Sequence, residues 1–196
     1  MGRSIAEAKH AARRPLLESR RRRTPDQRAV VAEALAAHLL ALPSIARAGR
    51  VAAYRSMADE PGTAVLLDGL VARGTTVLLP VTHDDGTLAW VEHDPTAATR
   101  RSRLGVDEPV GPAVGEGALD GVDVVVLPAL AADHHGRRLG RGAGYYDRAL
   151  ASLSGTRRPL LVALVHADEL VPEVPHEDHD VPVDVVVTEN GIFRVP

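Results

Sequence analysis

Hydrophobic positions along the chain fall into two kinds of pattern. Val31, Leu35, Leu39 and Leu42, with His38 beside them, recur at helical spacing and predict an amphipathic helix. Thr24 can cap it, Pro25 suits its first position, and Gln27 completes a capping box. Pro43 ends it. An earlier stretch, residues 4–22, has helical composition but contains Pro15. Proline lacks a backbone donor and crowds the preceding turn, so a kink or a division of this helix is expected. Short β-branched or apolar runs follow at 51–54, 76–79, 88–91, 122–127, 160–165 and 183–187. The runs at 122–127 and 160–165 are nearly continuous in apolar residues, which suits strands of a parallel sheet buried on both faces. Helical patterns at 63–73 and 143–153 lie between such runs. This alternation predicts an α/β layered fold. Residues 94–121 are rich in Pro, Gly, Asp and Arg, with weak periodicity, and read as a long loop with room for a small excursion.

Composition narrows the picture. The chain has 196 residues, enough for one domain with a real core, with 45% hydrophobic and 25% charged residues. A net charge of −3 gives no sign of a nucleic-acid partner. The absence of cysteine excludes a disulfide framework and thiolate metal sites. The basic N-terminus lacks the apolar core of a signal peptide, and no run is long enough to span a membrane, so a cytoplasmic location is the expectation. Lys9 is the only lysine; chemistry that needs an ammonium group has one candidate.

The richest segment follows the 122–127 run. Gly136, Gly140, Gly142 and Gly144 fall at close intervals, with Arg137, Arg138 and Arg141 among them. Glycine lets a backbone approach a ligand, and a loop leading into a helix can present N–H groups to an anion. Arginine adds forked donors suited to phosphate. Spacing alone does not separate this reading from an ordinary Gly-rich turn. No Gly-Lys-Ser/Thr loop and no Gly-x-Gly-x-x-Gly fingerprint is present. Two of the three tyrosines, Tyr145 and Tyr146, come next, where a ring could pack on a flat heterocycle or in the core. Asp147 could ligate Mg²⁺ beside phosphates, or could cap or pair with Arg148.

These residues carry a resemblance. Leu127-Pro128, then Asp133, Gly136 and the run Arg138-Leu139-Gly140-Arg141-Gly142-Ala143-Gly144-Tyr145-Tyr146-Asp147, resemble the signature of the 5-formyltetrahydrofolate cyclo-ligase family. Weaker matches keep the same order along nearly the whole chain: Lys9 with Arg13, Tyr54-x-Ser56-Met57 with Glu60, Leu79-Pro80, Leu104-Gly105-Val106-x-Glu108-Pro109, His179-Asp180-x-Pro182-Val183-Asp184, and Thr188-Glu189. The resemblance implies a three-layer α/β sandwich with a mainly parallel central sheet, of the sugar-phosphate isomerase/CoA transferase-like kind. It implies ATP- and Mg²⁺-dependent conversion of 5-formyltetrahydrofolate, with or without a polyglutamate tail, to 5,10-methenyltetrahydrofolate, by a monomer or weak homodimer.

By the same resemblance, Lys9 and Arg141 are catalytic. ATP is bound by Lys9, Arg13, Arg138, Leu139, Gly140, Arg141, Gly142, Ala143, Gly144, Tyr145 and Tyr146. Folate is bound by Arg55, Met57, Glu60, Trp90 and Tyr146, with Arg55 acting through its backbone, and Mg²⁺ by Asp147 and Asp184. Asp184 within an apolar run is odd on its own account, because a buried carboxylate needs a partner. Without the resemblance, Lys9 reads as a solvated helix charge and Glu60 as a turn carboxylate. His176 and His179 lack a clear third ligand and read as a solvated loop. Ala143, Ala131-Ala132, Ala12 and Pro15 depart from the family pattern. Two other readings remain: a sibling ATP-using enzyme on the same scaffold, and a non-catalytic nucleotide- or folate-binding regulator.

Overall fold

The computed structural model describes residues 4–115, 117–151, 153 and 158–196. The chain opens with helices α1 (Ile5–Arg22), α2 (Pro25–Ala41) and the short α3 (Pro43–Ala46). Then come β1 (Arg50–Ala52), α4 (Ala64–Ala72), β2 (Thr76–Thr82) and β3 (Leu88–Glu92). Four short strands and a longer one follow: β4 (Thr99–Arg101), β5 (Asp107–Pro109), β6 (Ala113–Val114), β7 (Val124–Pro128) and β8 (Ala131–Ala132). The last part holds β9 (Arg138–Leu139), α5 (Tyr145–Ala151), β10 (Leu160–Leu164), β11 (Val185–Thr188) and β12 (Gly191–Arg194). A 3₁₀ turn, Ala167–Glu169, follows β10.

The main sheet has eight strands in the order β12-β11-β10-β7-β1-β2-β3-β6. Its centre, β11 to β2, is parallel. Antiparallel β12 closes one edge, and β3 with β6 closes the other. Alternation along β7 explains its continuous apolar run. Val124 and Val126 face the layer of α2 and α4, where Leu35, Leu39, Leu66 and Leu70 pack. Val125 and Leu127 face the opposite layer, with Leu119, Trp90 and Leu150 of α5. Both faces are therefore dry, as in a parallel sheet covered on both sides. The three-layer α/β expectation holds.

From β1 the chain first steps outward through β2 and β3, then returns to place β7 on the other side of β1. Strand order thus reverses beside β1, and in open α/β sheets the crevice at such a reversal, beyond the carboxyl ends of the strands, is the natural ligand site.

One expectation needs correction. Helix α1 is neither divided nor ended at Pro15; it runs through. Pro15 and Ala11 are both exposed, so water can take the carbonyl that loses its helical donor. A full capping box of Ser4 with Glu7 secures the start of this helix. Residues 94–121 carry a small excursion, as their reading allowed. They include the β4–β5 hairpin and β6, which joins the main sheet. Among the described residues, no helix is long and apolar enough to cross a membrane.

Candidate active site

A cleft of about 400 Å³ opens beyond the carboxyl ends of β1, β2 and β7, lined there by Tyr54, Pro80, Thr82, Pro128 and Ala129. Helix α1 crosses it. Lys9 and Arg13 are one helical turn apart and both reach the cleft. The Lys9 ammonium donates to Glu177 Oε2 at 2.8 Å and to Asp180 Oδ2 at 2.6 Å. Burial works against its charge, but Asp180 and then Glu177 outweigh that and raise its pKa. Asp180 mirrors this: burial pushes its carboxyl up, the Lys9 hydrogen bond pulls it further down, and its pKa ends below the usual range. Arg13 Nε donates to the Gly140 carbonyl at 2.9 Å.

The Gly/Arg loop forms the next wall. Gly142 has φ of 109°, and a Cβ there would stand 3.4 Å from the Arg13 guanidinium. Beside Gly140 no heavy atom lies within 4 Å of where a Cβ would be, so its backbone is open to approach. Leu139, Gly140, Ala143, Gly144 and Tyr145 all line the cleft. Arg138 is buried and donates to the Val181 carbonyl and to Asp147 Oδ1, the latter at 2.5 Å.

Arg141 joins this loop to the segment after β1. Its guanidinium bonds Asp59 Oδ1 at 2.5 Å and Glu60 Oε1 at 3.1 Å. Glu60 is buried, and its other oxygen accepts from the Met57 N–H at 2.8 Å. Arg55 and Met57 line the same side. Burial, then the nearby Glu60 charge, holds the Tyr146 hydroxyl well above the usual tyrosine range. Trp90 is buried behind it, edge-on to the Tyr146 ring with centroids 6.5 Å apart, and does not line the cleft. It supports a wall instead of touching a ligand.

One expected residue lies elsewhere. Asp184 precedes β11, at the amino end of the parallel strands, while the cleft opens at their carboxyl ends. It pairs with Arg158 at 2.9 Å and accepts from the Leu161 N–H at 2.8 Å. Its carboxylate is satisfied there, in a shallow depression with Ser44, Arg47 and Asp123. Asp180, four residues earlier, is the aspartate that reaches the cleft.

Sequence reasoning also passed over Glu177 and Glu108 as site residues. Glu108 is buried in the cleft wall and accepts from the Thr82 N–H and hydroxyl at 3.1 and 2.7 Å. The available signal for the Lys9 partners was Lys9 itself, since a lysine held at a helix face over a cleft calls for acids. His179 is largely exposed and lies 3.9 Å from Glu177 and 3.8 Å from Asp180. These three side chains could converge on a cation, but the Lys9 ammonium already bridges the two carboxylates.

The comparisons with known proteins agree with this architecture. The family model described as "5-formyltetrahydrofolate cyclo-ligase family" matches residues 5–189. A 5-formyltetrahydrofolate cyclo-ligase from Mycolicibacterium smegmatis is 38% identical over 96% of this chain and 97% of its own. One from Escherichia coli is 31% identical over 90% and 98%. The solved 5,10-methenyltetrahydrofolate synthetase of Aquifex aeolicus superposes with a TM-score of 0.81 at 28% identity, covering 95% of this chain and 92% of that one. That of Mycoplasma pneumoniae, at 18% identity and a TM-score of 0.70, agrees in fold over 91% and 97%. With its crevice at the strand reversal and a family match over nearly its full length, the chain belongs to the 5-formyltetrahydrofolate cyclo-ligase family.

Proposed function

We propose that this enzyme converts 5-formyltetrahydrofolate and ATP to 5,10-methenyltetrahydrofolate, ADP and phosphate, with Mg²⁺. The observation that carries the reading is the joining of the two halves of one cleft. Arg141 of the Gly/Arg loop is bonded directly to Glu60 on the other side. A nucleotide on the loop and a pterin on Glu60 would therefore lie next to each other.

The residues suit both ligands. Lys9 and Arg13 offer an ammonium and a guanidinium, and the Gly140 backbone has no side chain in the way. Such groups fit a polyphosphate. Asp147 supplies a hard carboxylate oxygen in the same cleft, and Mg²⁺ favours one or two such ligands beside phosphates. Glu60 spends one lone pair of each oxygen on protein donors. A carboxylate has about four acceptor positions, so two remain for the N–H groups of a pterin edge.

The formyl oxygen is a poor leaving group. ATP, when bound, supplies the phosphoryl group that makes it a good one, so that N10 closes the ring as phosphate departs. The protein's part is positioning and charge, as is general for phosphoryl transfer. Glu60 fixes the pterin, the Tyr146 ring packs along it, and the buried hydroxyl of Tyr146 stays protonated. Lys9, Arg13 and Arg141 hold negative charge in place, with Lys9 steadied by Glu177 and Asp180. Action in the cytoplasm, as a monomer or weak homodimer, belongs to the same proposal.

The test is the appearance of methenyltetrahydrofolate absorbance from 5-formyltetrahydrofolate, with and without ATP. ATP-dependent product supports the reading. Folate binding without turnover would favour a regulator, and ATP hydrolysis with an unrelated acceptor a sibling enzyme.

A further inference from the structure

Arg148 lies in the first turn of α5, and its bonds go to backbone carbonyls of two separate segments. Its Nε and Nη2 donate to the Gly86 carbonyl at 3.0 and 2.6 Å. Nη2 also donates to the Ala143 carbonyl at 2.8 Å. Gly86 belongs to the turn between β2 and β3, and Ala143 to the Gly/Arg loop. The guanidinium also faces the Tyr145 ring, 5.6 Å from its centroid, within the range of a cation–π contact. Tyr145 in turn directs its hydroxyl to the His83 carbonyl of the same turn, at 3.5 Å. Both segments leave room for the guanidinium. A Cβ at Gly86 would stand 2.6 Å from Arg148 Nη2, and one at Gly144 would stand 2.9 Å from Nη1. A side chain at either position would displace it.

The two segments that Arg148 joins both bear on the cleft. Thr82 and Leu88, which flank the turn, line it, and so do Ala143, Gly144 and Tyr145. A peptide unit is planar and trans, so holding the Ala143 oxygen on one side turns the Gly144 N–H to the other. The ring contact holds Tyr145. One guanidinium therefore sets both a peptide and a ring of the loop, and the neighbouring β2–β3 turn is its anchor. Arginine suits this task because its planar fork can bond two carbonyls and stack on a ring at the same time.

We propose that Arg148 is a positioning residue for nucleotide binding. By clasping the Gly/Arg loop to the β2–β3 turn, it holds the loop in the form that receives ATP. This rests on the nucleotide reading of the loop given above. The effect falls on the nucleotide and not on folate. Met57 and Glu60 stand on the segment after β1, which Arg148 does not bond, and Arg141 keeps its own bonds to Asp59 and Glu60.

The experiment is a double-mutant cycle on ATP affinity, with wild type, Arg148→Met, Gly86→Ala and the double variant. Calorimetric binding of Mg²⁺-ATP, the kinetics with 5-formyltetrahydrofolate and the urea midpoint are measured for each. Arg148→Met should raise the Kd and KM for ATP about 10-fold, the worth of one charged hydrogen bond, with kcat and the KM for folate unchanged. Gly86→Ala, on the turn and away from the loop, should also weaken ATP, because its methyl group displaces the guanidinium. In the double variant it should add nothing to Arg148→Met, since residues that act through one contact are not additive. Arg148 and Ala143 are exposed, so water replaces the lost donor and Arg148→Met should fold. If it does not, Arg148→Lys carries the test, with ATP affinity between the two. Unchanged ATP affinity in Arg148→Met, additive losses in the cycle, or KM values for ATP and folate that rise together overturn the assignment. A wild type that binds no ATP overturns the nucleotide reading and this role with it, while non-additive urea midpoints would still show the clasp.

Discussion

Arg20 and Glu169, 149 residues apart, meet in a fully buried two-pronged ion pair, with both bonds at 2.7 Å. Arg20 also donates to the Ala129 carbonyl at 2.6 Å, just past β7. This contact fixes the end of α1 to the carboxyl end of the sheet, and α1 carries Lys9 and Arg13. Removing Arg20 would leave the buried Glu169 carboxylate with only the His166 N–H at 2.9 Å, and the Ala129 carbonyl without its Arg20 donor. Arg20→Met should lower unfolding free energy by about 3–5 kcal/mol, measured by urea denaturation. Adding Glu169→Leu should recover much of the loss, because the stranded charge goes with it. A single-variant cost below about 1 kcal/mol would contradict this account.

Lys9→Ala should lower kcat/KM by about 10²-fold or more, the scale of losing one charged group aimed at the reacting centre. The fold should survive, since Lys9 holds two acids at the rim and no core. Turnover at the wild-type rate would sink the role of Lys9.

The aspartates separate by position. Asp147→Asn should raise the Mg²⁺ concentration needed for half-maximal activity about 10-fold or more. Asp184→Asn should leave it unchanged and only loosen the contact with Arg158. An Mg²⁺ titration shifted by Asp184→Asn would return that residue to the site.

His166 is buried, neither ring nitrogen has a partner, and burial together with Arg23 and Arg20 pushes its pKa down to about 3. The folded state therefore holds the neutral ring, while the unfolded chain takes up a proton near pH 6.5. The stability from this group is full above about pH 6.5 and is lost as pH falls toward 3, by up to ~1.4 kcal/mol per pH unit. His166→Leu should flatten the decline of stability between pH 6.5 and 4.5 relative to wild type. Parallel curves for the two proteins would rule the effect out.

What the sequence revealed follows burial. Strands β7 and β10 were legible because both faces are dry, so the pattern is unbroken. The β4–β5 hairpin was not, because Thr99, Arg100 and Arg101 are all exposed and look like loop. The Gly/Arg loop was legible as a dense local motif. Choosing Asp180 over Asp184 was not possible from local sequence: four residues separate the two ends of a parallel layer, and only strand direction says which aspartate faces the cleft. Pro15 misled because its penalty falls on a solvent-facing carbonyl, which water relieves.

The bond between Lys9 and Asp180 spans 171 residues. During synthesis from the N-terminus, the first helix must wait for almost the whole chain before its lysine finds its partners. Long-range contacts of this kind close last, after the loop entropy of the intervening sheet has been met. A growing chain can thus pair β10, β7, β1, β2, β3 and β6 before Lys9 finds its partners, whereas β11 and β12 follow Asp180 in the chain. In the intact chain, Glu177→Gln with Asp180→Asn should free the Lys9 ammonium without touching the sheet and weaken its hold on α1; unchanged amide exchange along α1 would count against a tie made by this contact.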